Sequence, residues 1–233
     1  MKRIGVLGGM SWESSVEYER TMNTAVRERL GSAHSADLLV RSYDFATIEA
    51  LQKAGDWDTL AALLAEDARV LEAGGAQLLI IATNTMHLVA PQVEAAVTIP
   101  LIHIADAVAE AVTAAGLDTV ALLGSRYTME LPFLRERLEG HGITVLVPGE
   151  PDRTMVNDVI YDELVRGVVS DLSRERYLRA IDTLLETGAQ GVIAGCTEIE
   201  LLIRPQDLDC PLFPTARLHA LAAVDAALSK EPR

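Results

Sequence analysis

Short runs of consecutive apolar residues alternate along this chain with longer segments in which apolar residues recur every three or four positions. The short runs predict buried strands, and the longer segments predict amphipathic helices. Strands are predicted at residues 2–7, 37–43, 100–104 and 143–147, and in the apolar runs that begin at Leu78, Val120 and Val192. Because strands alternate with helices, the pattern predicts a parallel sheet covered on both faces.

A glycine-rich turn follows the first predicted strand, where Gly8-Gly9-Met10-Ser11 leads into a helix that Ser11 is suited to cap. Glycines at the start of a helix let backbone N–H groups approach a carboxylate or a phosphate. A simple tight turn explains the same residues equally well. The turn matches neither the dinucleotide-binding pattern nor the lysine-containing phosphate loop.

The two halves of the chain share one pattern. Thr83 and Cys196 each end an apolar run, and they lie 113 positions apart. The turn at Gly8 has a counterpart at Gly124, which lies 116 positions further along. We therefore expect an α/β protein of two similar Rossmann-like domains, each with a doubly wound parallel sheet, related by internal pseudo-symmetry.

The last predicted helix, which follows Pro214, needs an apolar surface to cover, and the first half of the chain is the simplest partner. We therefore predict a first domain of residues 1–104 plus 211–233 and a second domain of residues 105–210. The active site is expected in the cleft between them, because open α/β sheets bind ligands at the carboxyl ends of their strands.

Composition limits the range of partners. The chain has 233 residues, 49% of them hydrophobic, and a net charge of −14 from 20 basic and 34 acidic residues. Such an acidic surface would repel nucleic acid and anionic membranes, so neither is expected as a partner. No apolar run is long enough for a membrane span, and Met1-Lys2-Arg3 leads directly into a strand, so we expect a cytoplasmic protein.

The two cysteines, Cys196 and Cys210, show no spacing typical of metal ligands, and no metal site is predicted. The five histidines are dispersed. His87 and His103 are interpreted as hydrogen-bonding residues at a helix end and a strand end rather than as catalytic groups.

Cys196 lies where a buried strand would deliver a side chain into a crevice. A thiol there could be a buried filler, a nucleophile, a metal ligand or a proton-transfer base. No other metal ligand lies nearby in the sequence, and no histidine base adjoins the thiol. The pairing with Thr83 favours proton transfer, because inversion of a carbon centre requires two opposed proton carriers.

Two segments, residues 80–87 and 192–199, resemble the two signatures of the aspartate/glutamate racemase family, and the turns at 8–14 and 124–130 are similar to that family as well. The resemblance covers essentially the whole chain. It implies a two-base mechanism that needs no cofactor, a small acidic amino acid as substrate, and a homodimer.

The resemblance also implies roles for individual residues. Cys196 would exchange the proton on the L face of the substrate, and Thr83 would occupy the second catalytic position. Asn84, Thr85 and Thr197 match positions that hold the α-carboxylate. The other substrate-binding residues implied by position are Met10, Gln52, Ser125, Thr128 and Glu198.

Thr83 departs from the commoner pair of cysteines, and it resembles the branch specific for L-aspartate and L-glutamate. A hydroxyl is much harder to ionise than a thiol, so Thr83 is expected to be a poor first base. Gln52, Lys53 and Arg166 are alternatives for holding the side-chain carboxylate. Two further functions stay open: an arylmalonate-decarboxylase-like enzyme that uses Cys196 alone, and a catalytically silent amino-acid-binding protein.

Overall fold

The computed structural model describes residues 1–31 and 33–229. The chain forms two compact units. Unit 1 consists of residues 1–104 together with the stretch that begins at His219, and unit 2 consists of Ala105–Leu218. Each unit is built on its own parallel sheet, so the predicted fold class, an α/β protein with two Rossmann-like domains, is confirmed.

In unit 1 the strands form a three-stranded sheet of order β2-β1-β3. These strands are β1 (Ile4–Gly8), β2 (Leu38–Ser42) and β3 (Leu78–Ile81). The helices of this part of the chain are α1 (Trp12–Leu30), α2 (Phe45–Ala54), α3 (Trp57–Ala73) and α4 (Ala90–Ala96), with a 3₁₀ helix at Thr85–Val89. Every residue of β1 and β3 is buried, as is typical of parallel strands covered on both faces.

Side-chain caps begin helices α1, α2 and α3 of unit 1. The hydroxyl of Ser11 accepts from the backbone N–H of Ser14 at the start of α1, as the sequence predicts. The strand predicted at 100–104 is reduced to one bridge between Leu101 and Leu79, because α5 (Ile104–Ala114) already begins at Ile104.

In unit 2 four parallel strands form a sheet of order β5-β4-β6-β7. These strands are β4 (Thr119–Leu123), β5 (Thr144–Leu146), β6 (Val192–Ala194) and β7 (Leu212–Pro214). The helices that follow α5 are α6 (Arg126–Glu130), α7 (Pro132–Gly140), α8 (Asp152–Asp162), α9 (Asp171–Glu186), α10 (Ile199–Leu202) and α11 (Thr215–Leu228), with 3₁₀ helices at Leu164–Arg166 and Pro205–Asp207. Strand order β5-β4-β6 repeats the order β2-β1-β3 of unit 1, which is the internal repetition that the sequence indicates.

The division of the chain differs from the predicted one at the C-terminal end. Residues 211–218 were assigned to the first domain, whereas the structure places them in unit 2. The physical reason is that β7 pairs in parallel with β6 and so extends the sheet of unit 2. The boundary lies inside α11, between Leu218 and His219.

Each unit has its own buried apolar cluster. In unit 1 the cluster lies between the sheet and helices α2 to α4, and in unit 2 it lies against α8 and α9. The described helices include none that combines the length and the apolar character needed to cross a membrane.

Candidate active site

The turn after β6 places a carboxylate directly beside the Cys196 thiol. The Sγ–H of Cys196 donates to Oε2 of Glu198 at 2.8 Å, and the hydroxyl of Thr197 donates to the same oxygen at 2.8 Å. The three side chains are partly buried. Oε2 of Glu198 therefore accepts hydrogen bonds from both the Cys196 thiol and the Thr197 hydroxyl.

This environment keeps the thiol protonated. The pKa of Cys196 lies well above its ordinary value, first because burial disfavours the thiolate and then because the negative charge of Glu198 repels it. The hydrogen bond that the thiol donates to Glu198 acts in the same direction. The sequence predicts a thiol that ionises more readily than the Thr83 hydroxyl, whereas the resting site holds an S–H group that donates to Glu198.

Beneath this turn, Tyr177 is fully buried and donates its hydroxyl to the carbonyl of Val156 at 2.7 Å. Burial raises the pKa of Tyr177, and the charges of Cys196 and Glu163 raise it further. The phenol is therefore a neutral hydrogen-bond donor in the apolar cluster against which Cys196 packs. Sequence reasoning did not single out this residue, because a tyrosine in a helix of mixed composition gives no distinctive signal.

Ser125 and Thr128 lie beside the Cys196 turn. Both are buried, and their hydroxyl oxygens are 3.2 Å apart. A Cβ atom added to Gly195 would lie 3.0 Å from the methyl carbon of Thr128 and 2.9 Å from the carbonyl oxygen of Leu123. The turn after β4 thus packs tightly on the turn after β6, and only glycine fits between them. The structure therefore brings together the predicted residues of unit 2.

In unit 1, the turn after β3 carries Thr83, Asn84 and Thr85. Thr83 and Thr85 are partly buried, and Asn84 is buried. The backbone N–H of Thr83 donates to the carbonyl of Ile81 at 2.8 Å, and its own carbonyl accepts from Nδ1 of His87 at 2.8 Å. Both backbone polar groups of Thr83 are therefore fixed.

His87, His103 and His219 form a buried cluster in unit 1, which we call the histidine cluster. Each ring is at most 3% exposed. The ring of His87 lies 4.5 Å from that of His103 and 5.3 Å from that of His219. The pKa of His87 is well below its ordinary value, because burial and then the neighbouring histidines disfavour the imidazolium. His87 is thus a neutral hydrogen-bonding residue, as expected, but sequence reasoning missed His219, which lies far along the chain.

The glycine-rich turn after β1 has its hydrogen-bonding groups engaged internally. Gly9 has a φ of +83°, and a Cβ atom there would lie 2.3 Å from the backbone nitrogen of Tyr43. The N–H of Gly9 donates to the hydroxyl of Ser15 at 2.7 Å, and that hydroxyl donates to the carbonyl of Ser11. A close approach to β2 therefore explains Gly9, and the tight-turn interpretation is favoured over an anion cradle.

The remaining predicted residues of unit 1 lie deeper. Met10 is 5% exposed and belongs to the apolar cluster, and Gln52 is 8% exposed with its amide 3.3 Å from Sδ of Met86. Of the alternatives for the side-chain carboxylate, Lys53 pairs with Glu49 at 2.9 Å, and Arg166 is exposed on its 3₁₀ helix.

Across residues 1–31 and 33–229, no group of three or more His, Cys, Asp or Glu side chains could hold a metal ion.

Comparison with known proteins connects this arrangement to one family. The model of the Asp/Glu/hydantoin racemase family matches residues 7–223. A Yersinia pestis protein classed as an Asp/Glu racemase is 50% identical, with a TM-score of 0.95, over 98% of this chain and 100% of that chain. An aspartate racemase homologue from Pyrococcus horikoshii is 33% identical, with a TM-score of 0.88, over 98% of this chain and 100% of that chain.

A more distant structure shares the fold. The aspartate racemase of Picrophilus torridus is 18% identical, with a TM-score of 0.76, over 97% of this chain and 94% of that chain.

Proposed function

Because this chain belongs to the Asp/Glu/hydantoin racemase family and is an amino-acid racemase of that family, we propose that it inverts L-aspartate or L-glutamate by a two-base proton transfer without a cofactor. The observation that supports this mechanism is the contact of 2.8 Å between the Cys196 thiol and the Glu198 carboxylate. A proton carrier and its acceptor there form a pair suited to general acid–base catalysis.

In the first step, Glu198 takes the thiol proton onto Oε2. The thiolate of Cys196 then removes the α-hydrogen of the L isomer, and a new S–H bond forms. The electron pair of the broken C–H bond stays on the α-carbon and is delocalised into the α-carboxylate. Because the resting pKa of Cys196 is high, the thiolate is a strong base once it forms.

In the second step, the hydroxyl of Thr83, or a water molecule that it holds, gives a proton to the opposite face of the α-carbon. Solvent then restores the proton of Thr83, and Glu198 releases to solvent the proton that it took from the thiol, so the site returns to its resting state. A hydroxyl donates readily to a strongly basic carbanion but rarely ionises by itself, so Thr83 serves better as an acid than as a base. The two-base mechanism requires the two turns to act on opposite faces of the substrate.

The substrate carboxylates need local donors, because the chain has a net charge of −14. Asn84, Thr85 and Thr197 are assigned to the α-carboxylate, with Thr197 acting through its backbone N–H, because its hydroxyl already donates to Glu198. Met10, Gln52, Ser125 and Thr128 are assigned to the rest of the pocket. Since Glu198 is already hydrogen-bonded to the thiol, its role is revised from substrate binding to proton transfer.

The experiment that tests this function compares Cys196→Ala with Cys210→Ala. Cys210 is a matched control, because it is also partly buried but precedes β7, at the opposite end of the unit 2 strands from the Cys196 turn. Each protein is incubated in D₂O with L- and D-aspartate and with L- and D-glutamate. Proton NMR measures α-proton exchange, and chiral chromatography measures inversion.

We expect native exchange and inversion in the Cys210→Ala variant, and a loss of about 10²- to 10⁴-fold in both for Cys196→Ala. Near-native activity of Cys196→Ala with every substrate would refute the site assignment. Binding of an amino acid to the native protein with no α-proton exchange would instead favour a catalytically silent binding protein. Release of CO₂ from a substituted malonate, without racemisation, would favour the decarboxylase.

A homodimer and a cytoplasmic location are part of the same proposal. The support for the dimer is the family resemblance alone. Sedimentation equilibrium of the purified protein tests it: a mass near twice 25.2 kDa is expected, and a mass near 25.2 kDa at all concentrations would refute it.

A further inference from the structure

The backbone carbonyl groups of Thr83 and Cys196, which lie in the turns after β3 and β6, accept hydrogen bonds from different kinds of donor. After β6, the carbonyl of Cys196 accepts from the backbone N–H of Ile199, three residues further along. After β3, the carbonyl of Thr83 accepts from a side chain, the imidazole of His87. The position of Thr83 therefore depends on an individual side chain, whereas that of Cys196 depends on the backbone.

The hydrogen bonds of His87 define a single tautomer. Since a carbonyl only accepts, Nδ1 of His87 must carry the hydrogen that it donates to Thr83. Since a backbone amide only donates, Nε2 must be the acceptor for the N–H of Ile104, at 3.2 Å. The ring therefore bridges the Thr83 turn and the first residue of α5.

The imidazole of His219 binds the segment just before α5, close to the residue that His87 contacts. Nε2 of His219 lies 2.6 Å from the carbonyl oxygen of Ile102 and must donate to it, so Nδ1 accepts from the hydroxyl of Tyr18 at 2.9 Å. His219 thereby fixes the segment two residues before Ile104, and its ring packs on that of His87. Side chains from α1 and α11 thus contribute to the geometry of the Thr83 turn.

We propose that His87 is a positioning residue for Thr83, and that its Nδ1–H group sets the direction of the Thr83 side chain and so the return of the proton to the D face. This inference rests on the proposed function of Thr83. The packing of His103 and His219 around the ring leaves His87 little freedom to turn, which suits a positioning role. Displacing a catalytic group by about 1 Å can cost on the order of 10²-fold in rate.

Two substitutions of His87 test the hydrogen bonds of its two ring nitrogens separately. His87→Asn places an amide N–H near the position of Nδ1 and can still donate to Thr83. His87→Gln places its amide near the position of Nε2 and can accept from Ile104 but leaves the carbonyl of Thr83 without this donor. His34→Gln is the matched control, because His34 is exposed in a loop of the same unit.

We expect His87→Asn to invert the L isomer at a rate within about threefold of native, and His87→Gln to be slower by about tenfold or more. In His87→Gln, deuterium exchange into unreacted L isomer should stay within about twofold of native, because Cys196 and Glu198 perform it without Thr83. An effect on packing alone would lower exchange and inversion together. Equal behaviour of the two variants, or equal losses of exchange and inversion in His87→Gln, would overturn the proposal.

A measurement on the native protein covers the case in which the variants do not fold. Nitrogen-15 NMR of the ring should show His87 neutral, with its hydrogen on Nδ1, at pH 7. A hydrogen on Nε2 alone, or an imidazolium, would overturn the proposal. The tautomer of His87 is measured without any substrate, so this test does not depend on catalysis. Failure of the proposed function would be recognised separately, because the native protein would then exchange no α-proton.

Discussion

The turns after β3 and β6 occupy corresponding positions in two similar sheets, yet their side chains and hydrogen bonds differ. The Cys196 turn has its own proton acceptor, Glu198, two residues along the chain. The Thr83 turn has a backbone fixed by an imidazole, His87, and a hydroxyl that ionises with difficulty. Under the proposed mechanism, the same backbone arrangement supports a proton-exchanging pair in one unit and a proton donor in the other.

The largest expected effect comes from removing the acceptor at Glu198. Glu198→Gln keeps the shape of the side chain but gives a neutral amide, which cannot take the thiol proton. We expect kcat for inversion of the L isomer to fall by about 10²-fold. Steady-state kinetics followed by chiral chromatography measure this loss. Glu198→Asp, which keeps the carboxylate, is the control and should retain more activity; equal losses in both variants would argue against proton transfer by Glu198.

The next effect concerns the glycine turns that correspond in the two units. Ser125 of unit 2 has a φ of −62°, whereas its counterpart Gly9 has a φ of +83° and touches Tyr43. We expect Gly9→Ser to lower the free energy of unfolding by about 2–4 kcal/mol. Urea denaturation measures it. Gly55→Ser is the matched control, because Gly55 also has a positive φ but no atom near its Cβ position, so its loss should be nearer 1 kcal/mol. Equal losses would show that the contact with Tyr43 is unimportant.

A smaller effect should follow when Thr83 is made to resemble its counterpart. Thr83→Cys introduces a thiol, which ionises far more readily than a hydroxyl. We expect deuterium exchange into unreacted D isomer to rise by about tenfold, while exchange into the L isomer changes little. Proton NMR in D₂O measures both. If the native protein already exchanged the D isomer as fast as the L isomer, Thr83 would be an effective base and the asymmetry would be wrong.

The smallest expected effect is a greater loss of stability in unit 1 than in unit 2 when the pH is lowered. Folded His87 resists protonation, because its pKa lies well below the value of about 6.5 found in an unfolded chain. The stability that its neutral form provides is therefore complete above pH 6.5. Below that pH it is lost at up to about 1.4 kcal/mol per pH unit, since only the unfolded chain takes up the proton. The rings of His103 and His219 pack against that of His87, and Tyr18 is hydrogen-bonded to His219.

Hydrogen exchange between pH 7.5 and pH 5.5 measures this difference locally. The amides of β1 and β3 should lose protection first. Unit 2 contains one histidine, His141, which is exposed and donates to Asp106, so β4 and β6 should lose less. A uniform decline in both units would contradict the comparison.

The sequence predicts the sheets well because parallel strands that are buried on both faces read as uninterrupted apolar runs. The repeat of Thr83 and Cys196 at a fixed spacing also predicts the two similar strand orders. The boundary at 218 could not be predicted in the same way. Leu212-Phe213-Pro214 is short, and whether it pairs with β6 depends on long-range contacts that the local pattern does not contain.

The sequence indicates which residues to consider for the candidate site, but it does not indicate their hydrogen bonds. The signature after β6 draws attention to Glu198, yet only the rotamers show that its carboxylate turns back to the thiol. His87 was interpreted as a local hydrogen bonder, and the local bond to Thr83 agrees with this. Its packing against His219 could not be foreseen, because those residues are more than a hundred positions apart.

The position of His219 has a consequence for how the protein is made. Because the ribosome adds residues in order, unit 2 is synthesised before the segment of α11 that belongs to unit 1. The hydrogen bonds of Tyr18 and of the carbonyl of Ile102 with His219 therefore form only after the residues of unit 2 have been synthesised. N-terminal domains usually fold first during translation, whereas these contacts of unit 1 have to follow the synthesis of unit 2.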